Sequence, residues 1–164
     1  MALIRDGALA ENEFTWVADD AELPAAGAVV VSVDRWQAAR EELLGRADPV
    51  GVRLTSAEPP ELIGEGLDRL ALVELEFPAF RDGRAYSYAR LLREKYGFAG
   101  ELRAVGDVLL EQLHFMARTG FNAFEIDSED PLRDFEIAAG DFSVWYQPAA
   151  DGRRTALELR RDRS

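Results

Sequence analysis

Leu70-Ala71-Leu72-Val73-Glu74-Leu75-Glu76-Phe77, followed by Pro78, is the stretch that decides how this chain folds. Side chains alternate across a strand, so Val73, Leu75 and Phe77 face one way and Glu74 and Glu76 the other. Pro78 lacks the N–H that a ladder needs and stops the strand. A parallel strand buried between two layers of helices is apolar on both faces. This one is apolar on one face and acidic on the other.

The neighbouring strands repeat the pattern. Val52 and Leu54 oppose Arg53, Leu102 and Ala104 oppose Glu101 and Arg103, and Phe124 and Ile126 oppose Glu125. Ala28–Val33, by contrast, carries no charge and reads as a short apolar run. If these strands lie side by side in chain order, the charged face alternates in sign: Arg53, Glu74 with Glu76, Arg103, Glu125. Leaving one member of a buried ion pair without its partner costs about 3–5 kcal/mol. A second helical layer over these charges would strand them. The pattern therefore predicts an α/β fold: a mainly parallel sheet of repeated βα units with helices on one side, a partial or small TIM-barrel-like arrangement. The units are fewer than the eight of a standard barrel.

Between the strands lie helix signals. Arg35–Leu44 follows Asp34 as cap, Tyr86–Tyr96 carries a stripe of Tyr88, Leu91, Leu92 and Tyr96, Val108–Arg118 follows Gly106-Asp107, and Pro131–Ala139 follows Asp130. A short helix near Glu61–Ile63 follows Pro59-Pro60. At the N-terminus, Leu3–Arg5, a turn at Asp6-Gly7 and Phe14–Val17 read as a β-hairpin. Phe142–Tyr146 reads as a last strand. One domain is expected over residues 1–148, with a flexible tail over 149–164.

The chain has 164 residues and a net charge of −12, which argues against binding nucleic acid or an anionic membrane. No run is long and apolar enough for a membrane span or a signal peptide, so a cytoplasmic location is expected. Cysteine is absent, which removes disulfides, thiolate nucleophiles and Cys-held metals. Lys95 is the single lysine. No Gly-x-Gly-x-x-Gly, phosphate-cradling loop or metal-spaced His pair occurs, so no cofactor or metal is expected. Residues 81–118 hold seven basic and five acidic side chains, a local +2 in a chain otherwise at −14.

That basic stretch locates the candidate site. Arg81 and Arg84 beside Ser87, after a strand and at a helix entrance, suit a small anion or a partner's carboxylates; alternatively Asp82-Gly83 is only a turn with solvated or paired arginines. Arg103 between Glu76 and Glu125 reads either as an anion clamp between two acid–base carboxylates or as a structural ion-pair network. His114 in mid-helix and the acidic cluster Asp127, Glu129 and Asp130 have plain structural readings as a packed imidazole and a helix entrance.

The string Leu70–Ser87, with Ala89–Glu94, Gly100–Val108 and Gly120–Glu125, resembles the bacterial family DUF934. The opening Leu-Ile-Arg-Asp-Gly and the later Asp141–Val144 and Tyr146-Gln147-Pro148 resemble it too. The chain departs from the family pattern at Asn122, where Asp is expected, and at Thr119, where Cys is. The resemblance implies a gene setting beside assimilatory sulfite reductase and an oxidoreductase label without a shown activity. Two expectations follow. One is a non-catalytic accessory protein of sulfite reduction that binds an oxyanion or the sulfite reductase itself. The other is an enzyme on a small anionic sulfur- or phosphate-containing metabolite, with Arg81, Arg84 or Arg103 holding the anion and Glu76 or Glu125 moving a proton. An exposed charged sheet face covered by a second copy would give a homodimer.

Overall fold

The computed structural model describes residues 1–79 and 81–140. In chain order the elements are β1 (Ala2–Arg5), β2 (Ala8–Ala10), β3 (Phe14–Trp16), β4 (Ala28–Ser32), α1 (Val33–Leu44), β5 (Val50–Leu54), β6 (Leu72–Phe77), α2 (Arg84–Arg90), β7 (Glu101–Gly106), α3 (Leu113–Thr119), β8 (Ala123–Ile126) and α4 (Pro131–Gly140). Single 3₁₀ turns lie at Pro60–Ile63, Leu67–Arg69 and Leu110–Gln112, and a π turn at Leu91–Lys95 continues α2. The expected strand Phe142–Tyr146 and the tail 149–164 fall outside the described residues.

The eight strands form one mixed, mostly parallel sheet in the order β2-β1-β8-β7-β6-β5-β4-β3. From β3 to β8 every neighbouring pair is parallel and follows chain order. β1 runs antiparallel to both β8 and β2. The anticipated hairpin exists, but its second arm is Ala8–Ala10; Phe14–Trp16 instead pairs with β4 at the far end of the sheet.

This connection forces the sheet to curl. β2 ends at Ala10 and β3 begins at Phe14, so chain of at most about 14 Å joins the two outermost strands. Laid flat at about 4.8 Å per strand, those edges would be about 34 Å apart. The strand pairings give β2 and β3 the same direction, and alternation runs unbroken through them. Ala10 lies opposite Leu3, Phe14 opposite Ala28 and Trp16 opposite Val30, all on the concave face, and Asn12 between them reaches the same interior.

The described helices pack on the convex face. Val29, Val31, Val52, Leu54, Val73, Leu75, Phe77, Leu102, Ala104, Phe124 and Ile126 meet Trp36, Leu43, Ala89, Leu92, Leu113 and Met116 in one apolar core. The concave face buries a second, smaller set, Leu3, Val30, Leu72 and Val105, around Glu74 and Arg103. The division anticipated from the period-two pattern is present. α1 is capped by Ser32, whose Oγ accepts from the Arg35 N–H at 3.1 Å, rather than by Asp34, which occupies the first turn. Gly106 ends β7 at φ 89° against β6, where a Cβ would stand 2.5 Å from the Phe77 carbonyl oxygen.

Candidate functional site

The register that places Arg53 beside Glu74, and Glu74 beside Arg103, assembles the strand charges into one cluster. Arg103 is fully buried at its centre. Its Nη2 lies 2.7 Å from Glu101 Oε1 and its Nη1 lies 3.2 Å from Glu74 Oε1 and 3.6 Å from Glu125 Oε1. Nη1 also donates to Asn12 Oδ1 at 3.0 Å, and the Phe14 ring lies 5.8 Å from the guanidinium. Arg53 pairs with Glu74 at 2.7 Å beneath the Trp16 ring, and Arg5 reaches Glu101 at 3.4 Å.

Three arginines thus face three glutamates, and the charges cancel. Glu125 holds the weakest place. Glu74 and Glu101 each accept short charge-assisted hydrogen bonds, whereas Glu125 has only the 3.6 Å approach to Arg103 and no hydrogen bond among the described residues. Its side chain is four-fifths buried. Burial, and then repulsion from Glu74, push its carboxyl up, against a smaller lowering by Arg103, Arg53 and the Met1 ammonium. Glu125 also borders a cleft of ≈ 340 Å³ lined by Met1, Ala2, Leu3, Leu9, Ala10 and Asn12. Glu76, at the end of β6 on the same face, is half-buried and outside the cluster.

Arg81, Arg84 and Ser87 lie apart from this cluster, around the loop after β6, and all three are exposed. Arg84 already has a partner: its Nη2 and Nε meet Asp82 at 2.7 and 3.1 Å, and Nη2 also donates to Ser56 Oγ at 3.0 Å. These hydrogen bonds, together with the one from the Arg84 N–H, hold the Asp82 carboxyl far below the usual range. Tyr88 Oη donates to the Ser56 carbonyl at 2.8 Å and ties the rim to the loop after β5. Arg81 forms no ion pair among the described residues. The sequence-predicted site residues therefore divide in two, with Arg103 and Glu125 in the interior and Arg81, Arg84 and Ser87 on the rim.

Arg93 was not singled out by sequence reasoning. From the π turn after α2 its guanidinium donates to the carbonyls of Gly120 at 2.9 Å, Phe98 at 2.7 Å and Gly100 at 2.9 Å, and to Asn122 Oδ1 at 3.1 Å. Asn122 Oδ1 also accepts from the Leu102 N–H at 2.8 Å, while its amide donates to Asp6 at 3.1 Å. The acid expected there from the family pattern would lose that donor and face Asp6 as a like charge. Thr119 is fully buried, its hydroxyl donating to the Met116 carbonyl at 2.8 Å. Both atypical residues complete local hydrogen bonding. The only signal that could have exposed Arg93 is Gly120 itself, a helix-ending glycine whose carbonyl Arg93 binds.

Among the described residues no group of three potential metal-ligating side chains converges, and no helix is long and apolar enough to cross a membrane. No curated protein and no solved structure is detectably similar to this chain. A family model described as a bacterial protein of unknown function matches residues 51–157, which include β6, β7, β8, all of β5 but Val50, and the Glu74–Arg103–Glu125 cluster. The chain belongs to the DUF934 family.

Proposed function

We propose that this chain is a non-catalytic accessory protein of assimilatory sulfite reduction, binding a small oxyanion or the sulfite reductase itself through the rim loop after β6. The supporting observation is the division of charge described above. The concave arginines are neutralised by Glu74, Glu101 and Glu125, while Arg81 stands exposed beside Ser87 and Arg84. A fully buried Arg103 is poorly placed to touch a substrate, whereas an exposed guanidinium can meet a carboxylate or oxyanion. The sulfite link comes from the family's gene setting. In this reading the curled sheet is a shortened βα barrel, with residues 8–16 acting as one strand that bridges β1 and β4.

The test is co-purification of the wild-type protein and an Arg81→Ala/Arg84→Ala variant with sulfite reductase, alongside thermal shifts in sulfite, sulfate and phosphate. Retention of the reductase, or a shift with an anion, that disappears in the double variant is the expected result. A wild-type protein that does neither rules out this reading. A deletion strain that assimilates sulfate normally removes the pathway assignment.

One observation favours a second reading, an enzyme on a small anionic metabolite: the raised carboxyl of Glu125 suits a general acid. That reading requires turnover that falls in Glu125→Gln while Arg81→Ala raises KM.

A further inference from the structure

No residue of the rim loop lines the cleft beside Glu125, and its chemistry has the opposite sign. Five of its seven lining residues, Met1, Ala2, Leu3, Leu9 and Ala10, are apolar; the polar ones are Asn12 and Glu125. Asn12 turns its oxygen inward, accepting from Arg103 Nη1 at 3.0 Å and from the Phe14 N–H at 3.1 Å. Glu125 is a largely buried carboxylate without a hydrogen bond among the described residues, because Arg103 spends its closest contacts on Glu74 and Glu101. The Met1 ammonium borders the same cleft and forms no ion pair with Glu125 among the described residues. A desolvated carboxylate is costly unless something pairs with it. Leu3, directly opposite Glu125 in the strand register and on the same face of the sheet, offers apolar surface to whatever does.

We propose that this cleft binds a small primary alkylammonium ion, its charged head on the Glu125 carboxylate and its aliphatic stem against Leu3, Ala10 and Met1. The −12 charge of the chain favours the approach of a cation. The apolar walls select a stem over a bare inorganic ion, and one carboxylate at one end matches a single ammonium. The site is independent of the rim loop.

Ethyl-, butyl- and hexylammonium chloride are titrated calorimetrically into the full chain, and hexanoate is titrated as the anionic control. Side-chain carboxyl carbon NMR reports on Glu125. Low-millimolar binding of butylammonium is expected, tightening about three- to fourfold for each methylene buried. The Glu125 carboxyl resonance should titrate at lower pH when the site is filled. Glu125→Gln keeps the shape, removes a desolvated charge, and should weaken butylammonium at least about tenfold. No binding of butylammonium to the wild-type chain overturns the proposal, as does equal binding of hexanoate or undiminished binding to Glu125→Gln.

Discussion

Replacing Arg103 with methionine removes the centre of the ionic cluster with little change in side-chain volume. Glu74 keeps Arg53 at 2.7 Å and Glu101 keeps Arg5 at 3.4 Å, but Glu125 loses its only ion-pair partner among the described residues. Glu74 and Glu101 remain buried, at 3% and 10% side-chain exposure. The expected loss near neutral pH is about 3–5 kcal/mol, a large part of the roughly 5–15 kcal/mol that holds a domain folded. The loss must depend on pH. Without Arg103 the folded state holds at least one carboxyl proton more tightly than the unfolded chain does. Raising pH through that window therefore costs about 1.4 kcal/mol per unit for each such proton. Lowering pH protonates the orphaned carboxyls and narrows the gap to wild type. Urea unfolding at about pH 5 and about pH 8 measures both quantities, and the double variant Arg103→Met/Glu125→Gln should recover part of the loss at the higher pH. A loss below about 1 kcal/mol, or one identical at both pH values, would show that the cluster is solvated and the reasoning wrong.

Other outcomes follow from single contacts. Glu125 binds its proton more tightly folded than unfolded, so its contribution is complete below the ordinary glutamate value of about 4.3 and is lost as pH rises through its raised value. Glu125→Gln should therefore flatten the stability–pH curve above that point, which urea midpoints across the range would reveal. Asp82 has the opposite sign. Its stabilising contribution is present above the ordinary aspartate value and is lost only as pH falls toward its depressed one, so its carboxyl resonance should stay ionised where other aspartates are half-protonated; Arg84→Ala should return it to the ordinary range. Gly120 has φ 119°, and an added Cβ would stand 2.5 Å from Arg93 Cγ. Gly120→Ala should cost about 1–3 kcal/mol by thermal melt, with faster exchange of the Phe98 amide, which donates to the Leu92 carbonyl at 2.8 Å beside the Arg93 contacts.

Much of the architecture was legible locally. The alternation in Val73–Phe77 and its echoes at Arg53, Arg103 and Glu125 required one apolar and one charged sheet face. Chain-order pairing then brought Arg53, Glu74 and Arg103 together. The helix boundaries were less legible: Val108–Arg118 resolves into a 3₁₀ turn and the shorter α3, because Leu109 is extended and Leu110–Gln112 takes up the turn. Phe14 read as a hairpin arm because it follows a turn and precedes aromatic, β-branched residues; nothing nearby shows that its partner is Ala28 rather than Leu3. The pairing of Arg84 with Asp82, two residues away, is local, but its hydrogen bond to Ser56 depends on a neighbouring strand's loop.

By itself the sequence determined which residues share a face, because side-chain direction in a strand depends only on position along it. It likewise determined the charge balance, the absence of thiol chemistry and the location of the basic loop. Tertiary structure alone decided which charges meet and which one is held most weakly. Arg103 is shared unequally among Glu74, Glu101 and Glu125 because strand register, and the three residues joining β2 to β3, set the distances between groups far apart in the chain. Ion pairing falls off over a few ångströms. Register can therefore turn the same set of side chains into close pairs or a weakly held carboxylate, and no local pattern carries that information.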